Sequence, residues 1–219
     1  MSNLHNTAKS ALIIIVFTLG SKMLGFIREM LIAAKFGSGI ETDTFFVALA
    51  ATGLITSLIN KAITTTFIPI LSEIEAKEGK SGKIHHTSNM INIIIIISML
   101  CVILAWLSST FIIRITAKGF EGEQFNLAVK LTRIGLPMLL FSGIIGSLTG
   151  FLHSEQMYMS YALIGFPFNF VYILYLLFLS FKFGIKGLMA AAVIAVISQL
   201  FIQAPEAKKA GFSYKFVFD

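Results

Sequence analysis

The chain alternates between long apolar stretches and shorter polar segments, and the apolar stretches determine its architecture. Six of them are long enough to be membrane-crossing helices, since such a helix needs roughly 20 mainly apolar residues. We predict spans at about residues 10–34, 44–71, 90–113, 127–152, 158–181 and 187–203. The predicted fold is therefore an all-α integral membrane bundle of about six transmembrane helices, with residues 1–219 forming a single membrane domain.

The first three spans differ in polarity. The first contains Lys22, Arg28 and Glu29, which predicts a long helix interrupted by charge. The second is rich in Thr and Ser, and the third, with INIIIIISMLCVILAW, is the most apolar of all. Residues 72–89, SEIEAKEGKSGKIHHTSN, combine Gly, Ser and mixed charges, a pattern that predicts a solvated loop.

Prolines and small residues shape the later spans. Pro137 lies inside the fourth span and predicts a kink, which membrane helices tolerate because their neighbours satisfy the freed carbonyl. Pro167 lies in the first half of the fifth span. The sixth, with GLMAAAVIAVIS, has the small residues that permit close helix packing. After it, APEAKKAGFSYKFVFD is predicted to leave the membrane.

Composition excludes a soluble enzyme. The chain is 56% hydrophobic and 13% charged, whereas a globular domain is about 25% charged. The net charge of +6 does not indicate nucleic acid as a partner, because the basic residues are scattered without interleaved aromatics. They favour a surface next to anionic lipid headgroups.

Motifs for chemistry on a substrate are missing from the sequence. Cys101 is the single cysteine and lies in an apolar run, and His5, His85, His86 and His153 lack the spacing of a metal site. The sequence contains no nucleophile elbow and no phosphate-binding glycine loop. We therefore expect no catalytic residues, no metal and no cofactor, and translocation is the favoured class of function.

Basic residues also indicate orientation. Six spans place both termini on one side, and the lysines predicted on that side favour cytoplasmic termini. Those lysines are Lys9, Lys77, Lys80, Lys83, Lys208, Lys209 and Lys215, against Lys35, Arg114, Lys118, Lys182 and Lys186 on the other side. Lys130 and Arg133, near the start of the fourth span, are explained by an interfacial position.

Charged residues in the first span are candidates for binding. A charge at the centre of a membrane helix costs about 2.5–3.5 kcal/mol on insertion scales, so such residues usually face a cavity or a partner. Lys22, Gly25 and Arg28 recur at helical spacing, and Glu29 returns to nearly the same face. They would form a cationic wall for an anionic headgroup, with Gly25 allowing bending or close approach. Alternatively, Arg28 and Glu29 mark a helix end and extend to the interface.

Two further candidates lie on the second span. Asp43 opens that span and would either cap the helix or pair with Arg28 or Lys22. Lys61 stands between Asn60 and the run of threonines at 64–66, a polar stripe that would line a wet cavity. The alternative for the hydroxyl groups is a hydrogen bond to the backbone of their own helix.

A long motif carries a family resemblance. The string SKMLGFIREMLIAAKFGSGIETDTFFVAL at 21–49, followed by FIPILSE at 67–73, resembles the MurJ (MviN) family of lipid II flippases, in the MOP exporter superfamily. A weaker resemblance reaches APEAKKAGF near the end of the chain. Members of that family have fourteen helices, in two pseudo-symmetric lobes of six and a final pair. The resemblance implies that this chain is the N-terminal lobe, multi-pass in the bacterial cytoplasmic (inner) membrane.

The resemblance also implies a mechanism and site residues. In the family, a cationic cavity binds the diphosphate and sugars of lipid II, and alternating access moves the headgroup outward. By motif, Lys22 matches a basic residue after Ser, Arg28 the arginine of GFxR(D/E), Glu29 the adjacent acid and Asp43 the acid of TDxFF. One departure is that the family's second-span arginine pair falls here at about Thr56 and Ser57, with Lys61 a turn further on.

Three hypotheses follow. In the first, the chain is the N-terminal half of a lipid II flippase, and its second lobe comes from another chain or from self-association. In the second, it belongs to a related flippase or exporter of another polysaccharide lipid. In the third, it is a non-transporting membrane remnant or an assembly partner that binds lipid or protein. A membrane enzyme is the weakest alternative, because no catalytic constellation is found.

Overall fold

The computed structural model is helical along nearly the whole chain. It describes the backbone of residues 2–218, and the side chains of residues 12–218 except 58, 59, 62 and 64. The helices are α1 (Ser2–Phe36), α2 (Ile40–Ala62), α3 (Ile68–Leu107), α4 (Ser109–Thr116), α5 (Gly122–Gly135), α6 (Met138–Ser154), α7 (Met159–Leu163), α8 (Gly165–Phe178), α9 (Ser180–Ser198) and α10 (Leu200–Lys209), and a π-helical turn (Ile63–Phe67) joins α2 to α3. The described residues form no strand, which confirms the all-α fold.

These helices make six passages between two ends of the bundle. At one end, Ile13 of α1 shares a cleft with Met157 and Glu206. We call it the terminal end, because α1 starts there and α10 finishes there. The opposite end contains the connections at 37–39 and 117–121 and the break inside α9 at Gly184, whose φ is 57°. Within the described residues, four helical stretches are long and apolar enough to cross a membrane: Thr65–Leu107, Gly122–Ser154, Met159–Phe178 and Ser180–Lys209.

Several passages are interrupted, although not always where the sequence predicts. The α-helix stops at Gly135 and resumes at Met138, which confirms the predicted break at Pro137. Pro167 lies in the first turn of α8, where its missing N–H group is harmless. In α1 the charged residues interrupt the apolar pattern but not the helix, which is continuous over 35 residues.

Residues 72–81 are mostly exposed, as predicted for a solvated segment, but the prediction of a loop at residues 72–89 is wrong. The segment is helical and is broken only at Gly79, whose φ of 71° lies in the left-handed region that glycine adopts without strain. The mixed charges that suggested a loop instead form ion pairs at helical spacing. For example, Lys77 Nζ lies 2.6 Å from Glu73 Oε1. The chain past residue 203 also stays helical, to Lys209.

The core of the bundle surrounds α9. Leu188, Ala192 and Ala195 are fully buried there, so the predicted close packing through small residues is confirmed. In contrast, α3 has a broad exposed apolar face, with Leu100 56% and Leu107 66% exposed. Hydrocarbon can cover such a face without cost, as expected for a helix at the periphery of a membrane bundle.

A buried lysine links three segments at the terminal end. Lys83 is fully buried, and its Nζ lies 2.6 Å from Glu75 Oε2 and 2.6 Å from Glu155 Oε1. Its ammonium group also lies 5.5 Å from the centre of the Phe151 ring. Lys80 approaches the same Glu155 carboxylate at 3.2 Å. We call these residues the Lys83 node, and they fix the two halves of α3 on either side of Gly79 to the end of α6.

Acidification is expected to weaken the Lys83 node. Burial raises the pKa of Glu155, but hydrogen bonds from Lys83 and Lys80 outweigh burial and lower the pKa below its ordinary value of 4.5. A lowered folded-state pKa means that the carboxylate contributes stability above the unfolded-state pKa, and that this contribution disappears as the pH falls through the folded-state pKa. Melting temperature in detergent should therefore fall between pH 6 and about pH 3. Glu155→Gln should flatten this dependence, and equal slopes in both proteins would contradict the expectation.

Candidate substrate-binding site

Small residues bring α1 and α8 close together at the level of the charged stripe. The Asn169 amide nitrogen donates hydrogen bonds to the carbonyl oxygens of Ser21, at 3.1 Å, and Gly165, at 2.8 Å. A Cβ atom on Gly25 would lie 3.7 Å from Asn169 Oδ1, and one on Gly165 would collide with Ser21 Oγ. Gly165 therefore permits the close approach of the two helices, whereas a side-chain carbon at Gly25 would make only an ordinary van der Waals contact. The roles predicted for Gly25, helix bending or the approach of a ligand, stay predictions.

Arg28 lies at this contact. Its Nη1 donates to Asn169 Oδ1 at 3.2 Å, and its Nη2 lies 2.6 Å from Glu29 Oε1. The guanidinium carbon lies 5.1 Å from the centre of the Tyr172 ring and 5.5 Å from that of Phe168. Both amide hydrogens of Asn169 are used by backbone carbonyls, so its oxygen is held toward the arginine. The guanidinium group is therefore positioned by α8 as well as by its own helix.

This arrangement suits the recognition of an anion. Arg28 is 21% exposed, and among the described residues only two of its five N–H groups have protein acceptors. A guanidinium group presents its donors in a planar fork that fits phosphate. Arg28 lies eight residues before Phe36, where α1 ends, so it does not mark the end of the helix. The Arg28 side chain instead packs against residues of α8.

Lys22 and Asp43 lie apart from this contact, whereas Glu29 reaches it through its ion pair with Arg28. Lys22 and Glu29 are exposed, so the predicted basic stripe is divided between a side that faces α8 and a side that does not. Asp43 is exposed in the first turn of α2, which begins three residues earlier at Ile40. In the described residues, Asp43 forms no side-chain cap and no ion pair with Arg28 or Lys22. Both alternatives predicted for its carboxylate are wrong.

Lys61 is exposed in the last turn of α2, just before the π-helical turn. Its carbonyl oxygen accepts a hydrogen bond from Thr65 Oγ1 at 2.8 Å, and the hydroxyls of Thr52, Thr56 and Ser57 likewise donate to carbonyls of α2. The alternative predicted for the hydroxyl groups of residues 64–66 is thus confirmed for Thr65, while the side chain of Thr64 lies outside the described residues.

A groove lies further back along α2. It has a volume of about 280 Å³ and lies between α2 and α6, with Thr52, Thr56, Ser57, Asn60 and Ser142 in its walls. Among the described residues of the polar stripe predicted at 60–61 and 64–66, Asn60 alone lines this groove, so the structure does not confirm that the stripe lines a wet cavity. Lys61 itself is not in the walls of this groove.

Lys130 and Arg133 lie away from Arg28. Arg133 Nε donates to Ser109 Oγ at 2.8 Å, and the guanidinium carbon lies 4.6 Å from the centre of the Trp106 ring, which ties α5 to the junction of α3 and α4. Lys130 faces a cleft of about 710 Å³ at the opposite end, together with Lys182, Lys186, Glu41 and Glu123. Neither residue belongs to the contact between α1 and α8.

Sequence analysis missed the three residues of α8 that position Arg28. Asn169, Phe168 and Tyr172 lie in the run GFPFNFVYILYL, of which the sequence gives only the apolar character. The one available signal is the amide of Asn169, because a polar side chain within an apolar helix needs a partner. Nothing in the local sequence identifies that partner as Arg28.

Comparison with known proteins decides the family. The family model described as "Lipid II flippase MurJ" matches residues 32–219. The chain belongs to the MurJ family. This confirms the resemblance carried by residues 21–49 and 67–73. The members it matches are named as flippases, which are transport proteins of membranes and not enzymes.

Individual MurJ proteins show how much of a member this chain represents. The probable lipid II flippase MurJ of Buchnera aphidicola subsp. Baizongia pistaciae is 31% identical over 209 residues, which cover 93% of this chain and 40% of that protein. The lipid II flippase MurJ of Burkholderia cenocepacia is 27% identical over the same shares of the two chains. This chain therefore spans about 40% of the length of these MurJ relatives.

A solved MurJ structure shares the fold. The structure of "Lipid II flippase MurJ, inward closed conformation" superposes with a TM-score of 0.74 at 23% identity, covering 94% of this chain and 43% of the solved one. This likeness confirms that the helices are arranged as in part of a MurJ protein.

Proposed function

We propose that this chain is the N-terminal half of a flippase that moves lipid II across the bacterial cytoplasmic membrane, with the six passages of residues 1–219 crossing the bilayer as one membrane domain. The observation that carries the proposal is Arg28 of α1, which Asn169 and two aromatic rings hold in place while part of its donor fork stays open. Family membership supports lipid II as the cargo.

Arg28 is proposed to bind the diphosphate of the lipid. A guanidinium group binds phosphate oxygens in pairs, and the attraction between opposite charges is stronger where water is scarce. Glu29 already occupies one donor at 2.6 Å, so an arriving diphosphate competes with this carboxylate. That competition keeps binding reversible, as a transporter requires. Lys22, Asp43 and Lys61, all exposed, are proposed to contact the same substrate in the complete protein.

A second lobe is proposed to cover α1. Six of the apolar residues of α1 that are more than half exposed recur at alternating spacings of four and three, which is the spacing of a helix seam: Leu12, Val16, Leu19, Met23, Phe26 and Met30. This stripe supports a partner surface, supplied by a further part of the protein, another chain or a second copy, while lipid covers the periphery. The lysine-rich terminal end is proposed to face the cytoplasm.

The function is tested in a strain whose own lipid II flippase can be depleted. The gene that encodes this chain, with any coding sequence that continues past residue 219, should restore growth and should make lipid II accessible on the outer face of the membrane. A matched strain depleted of a flippase for another polyprenyl-linked sugar should not be rescued. Rescue of the second strain alone would favour a different cargo. Rescue of neither, with protein present in the membrane, would refute the transport function.

A further inference from the structure

Residues Phe212–Phe218 form an extended segment that folds back along α3. We call it the exit strap. The backbone N–H of Lys215 donates to Ser88 Oγ at 3.2 Å, and the Asn92 amide nitrogen donates to the carbonyl oxygen of Val217 at 2.7 Å. At the start of the strap, the ring of Phe212 packs against Phe151 with centres 5.2 Å apart. The strap is thus fastened along its length to the bundle.

The α3 side of this contact is suited to an extended backbone. Ser88 and Asn92 are four residues apart, on one face of α3, and they are 0% and 2% exposed. The Asn92 Oδ1 atom also accepts a hydrogen bond from the Tyr214 hydroxyl at 2.5 Å, so both polar atoms of the Asn92 amide bond to the strap. A buried amide without such partners would be destabilising, so the presence of Asn92 in α3 is explained by the strap.

Two aromatic side chains of the strap are exposed. Phe216 is 77% exposed and Phe218 is 49% exposed, and their ring centres are 5.2 Å apart. Asn92, which binds the strap at Val217, stands immediately before the exposed apolar surface of α3, which begins at Ile93. Toward Gly79, the same helix carries charged and histidine side chains: Lys80, Lys83, His85 and His86. The strap therefore places Phe216 and Phe218 at the boundary between the polar and apolar parts of α3.

We propose that the exit strap binds the membrane interface, with Phe216 and Phe218 inserted into the headgroup layer of the leaflet at the terminal end. Aromatic side chains favour this layer, and basic residues near it add attraction to anionic lipids. Lys215 lies within the strap and Lys208 at the end of α10, both exposed. The strap then anchors the exit of α10 to an anionic leaflet. This role is separate from substrate binding at Arg28.

Tryptophan reporters in the full chain test the proposal. Trp106, the single tryptophan, is replaced by Phe, and Phe216→Trp is introduced as the reporter. The protein is reconstituted in phosphatidylcholine vesicles with and without phosphatidylglycerol, using lipids brominated either near the headgroup or near the chain ends. Emission should shift to the blue, headgroup-proximal bromine should quench more than distal bromine, and phosphatidylglycerol should increase the quenching. Leu100→Trp, on the lipid-facing side of α3, should show the reverse depth preference and no response to phosphatidylglycerol.

Variants that remove the hydrogen bonds between the strap and α3 provide the matched comparison. Asn92→Leu keeps the buried volume but removes both hydrogen bonds, so it should reduce quenching of the Phe216→Trp reporter and leave the Leu100→Trp reporter unchanged. Tyr214→Phe removes one bond without touching α3, and should produce a smaller loss even if Asn92→Leu does not fold. Quenching of the Phe216→Trp reporter by aqueous acrylamide alone would overturn the proposal. Shielding from both acrylamide and brominated lipid would overturn it too, because another protein surface would then cover the strap.

Discussion

Replacing Arg28 with alanine is expected to abolish the growth support that the complete flippase gives to a flippase-depleted strain. The substitution removes the donor fork proposed to bind the diphosphate, and hydrogen bonds to charged groups contribute about 1.5–3 kcal/mol each. Loss of even one such bond weakens binding roughly 10- to 150-fold. Growth on depletion is the measurement, with membrane levels of the protein followed by immunoblot so that loss of function is separated from loss of protein.

Three variants sharpen this test. Arg28→Lys keeps the charge but loses the planar fork and the stacking on Tyr172 and Phe168, so we expect partial function at best. Lys35→Ala removes an exposed charge in the last turn of the same helix and should grow normally. Asn169→Leu removes the acceptor that positions Arg28, and adding it to Arg28→Ala should cause no further loss. Normal growth of Arg28→Ala would eliminate Arg28 as a binding residue.

The second large effect is expected at the Lys83 node. Lys83→Met should destabilise the protein by about 1–3 kcal/mol, because it removes two charge-assisted hydrogen bonds, while Glu75 is 40% exposed and Glu155 keeps Lys80 at 3.2 Å. Thermal unfolding in detergent, followed by loss of the monodisperse peak in size-exclusion chromatography, measures the change. The two halves of α3 should also lose their fixed relation at Gly79.

The chain offers a close control for Lys83. Lys77 forms an ion pair of the same 2.6 Å length with Glu73, but both side chains are more than 60% exposed. Exposed pairs contribute about 0–1 kcal/mol, so Lys77→Met should change stability little. Combining Lys83→Met with Glu75→Gln and Glu155→Gln should recover part of the loss, since no carboxylate is then left without Lys83 and the remaining charge, on Lys80, is 49% exposed. Equal destabilisation by Lys83→Met and Lys77→Met would show that burial does not strengthen the node.

The contrast between Lys83 and Lys77 also shows which parts of the fold can be predicted from the sequence. Apolar runs and Pro137 predict the helical class and one of the breaks, because both depend on properties of contiguous residues. The helix at 72–89 is not predicted from the local sequence, because its buried charge is paired with a residue far away in the chain. Lys83 pairs with Glu155, 72 residues later in the chain, and that pairing allows this one lysine to be buried where local composition indicates solvent.

The candidate site shows a similar limit. Helical spacing groups Lys22, Gly25 and Arg28 on one side of α1, but it does not say which neighbour covers that side. The residue that positions Arg28 is Asn169, 141 positions away. Asp43 was placed at a helix start because its carboxylate is a good cap, yet α2 begins at Ile40 and leaves that carboxylate inside the first turn. Motif resemblance identified Arg28, and only the packing of α8 shows how it is held.

The unbroken course of α1 has a mechanical consequence. Its 35 residues extend about 52 Å, well beyond a hydrocarbon core of about 30 Å. Later passages contain glycines with non-helical backbone angles, Gly79 in α3 and Gly184 in α9. A helix broken in this way can absorb a displacement locally, whereas a continuous helix transmits it. Arg28 lies on a continuous helix, so a tilt imposed at either end of α1 would reach its guanidinium group directly.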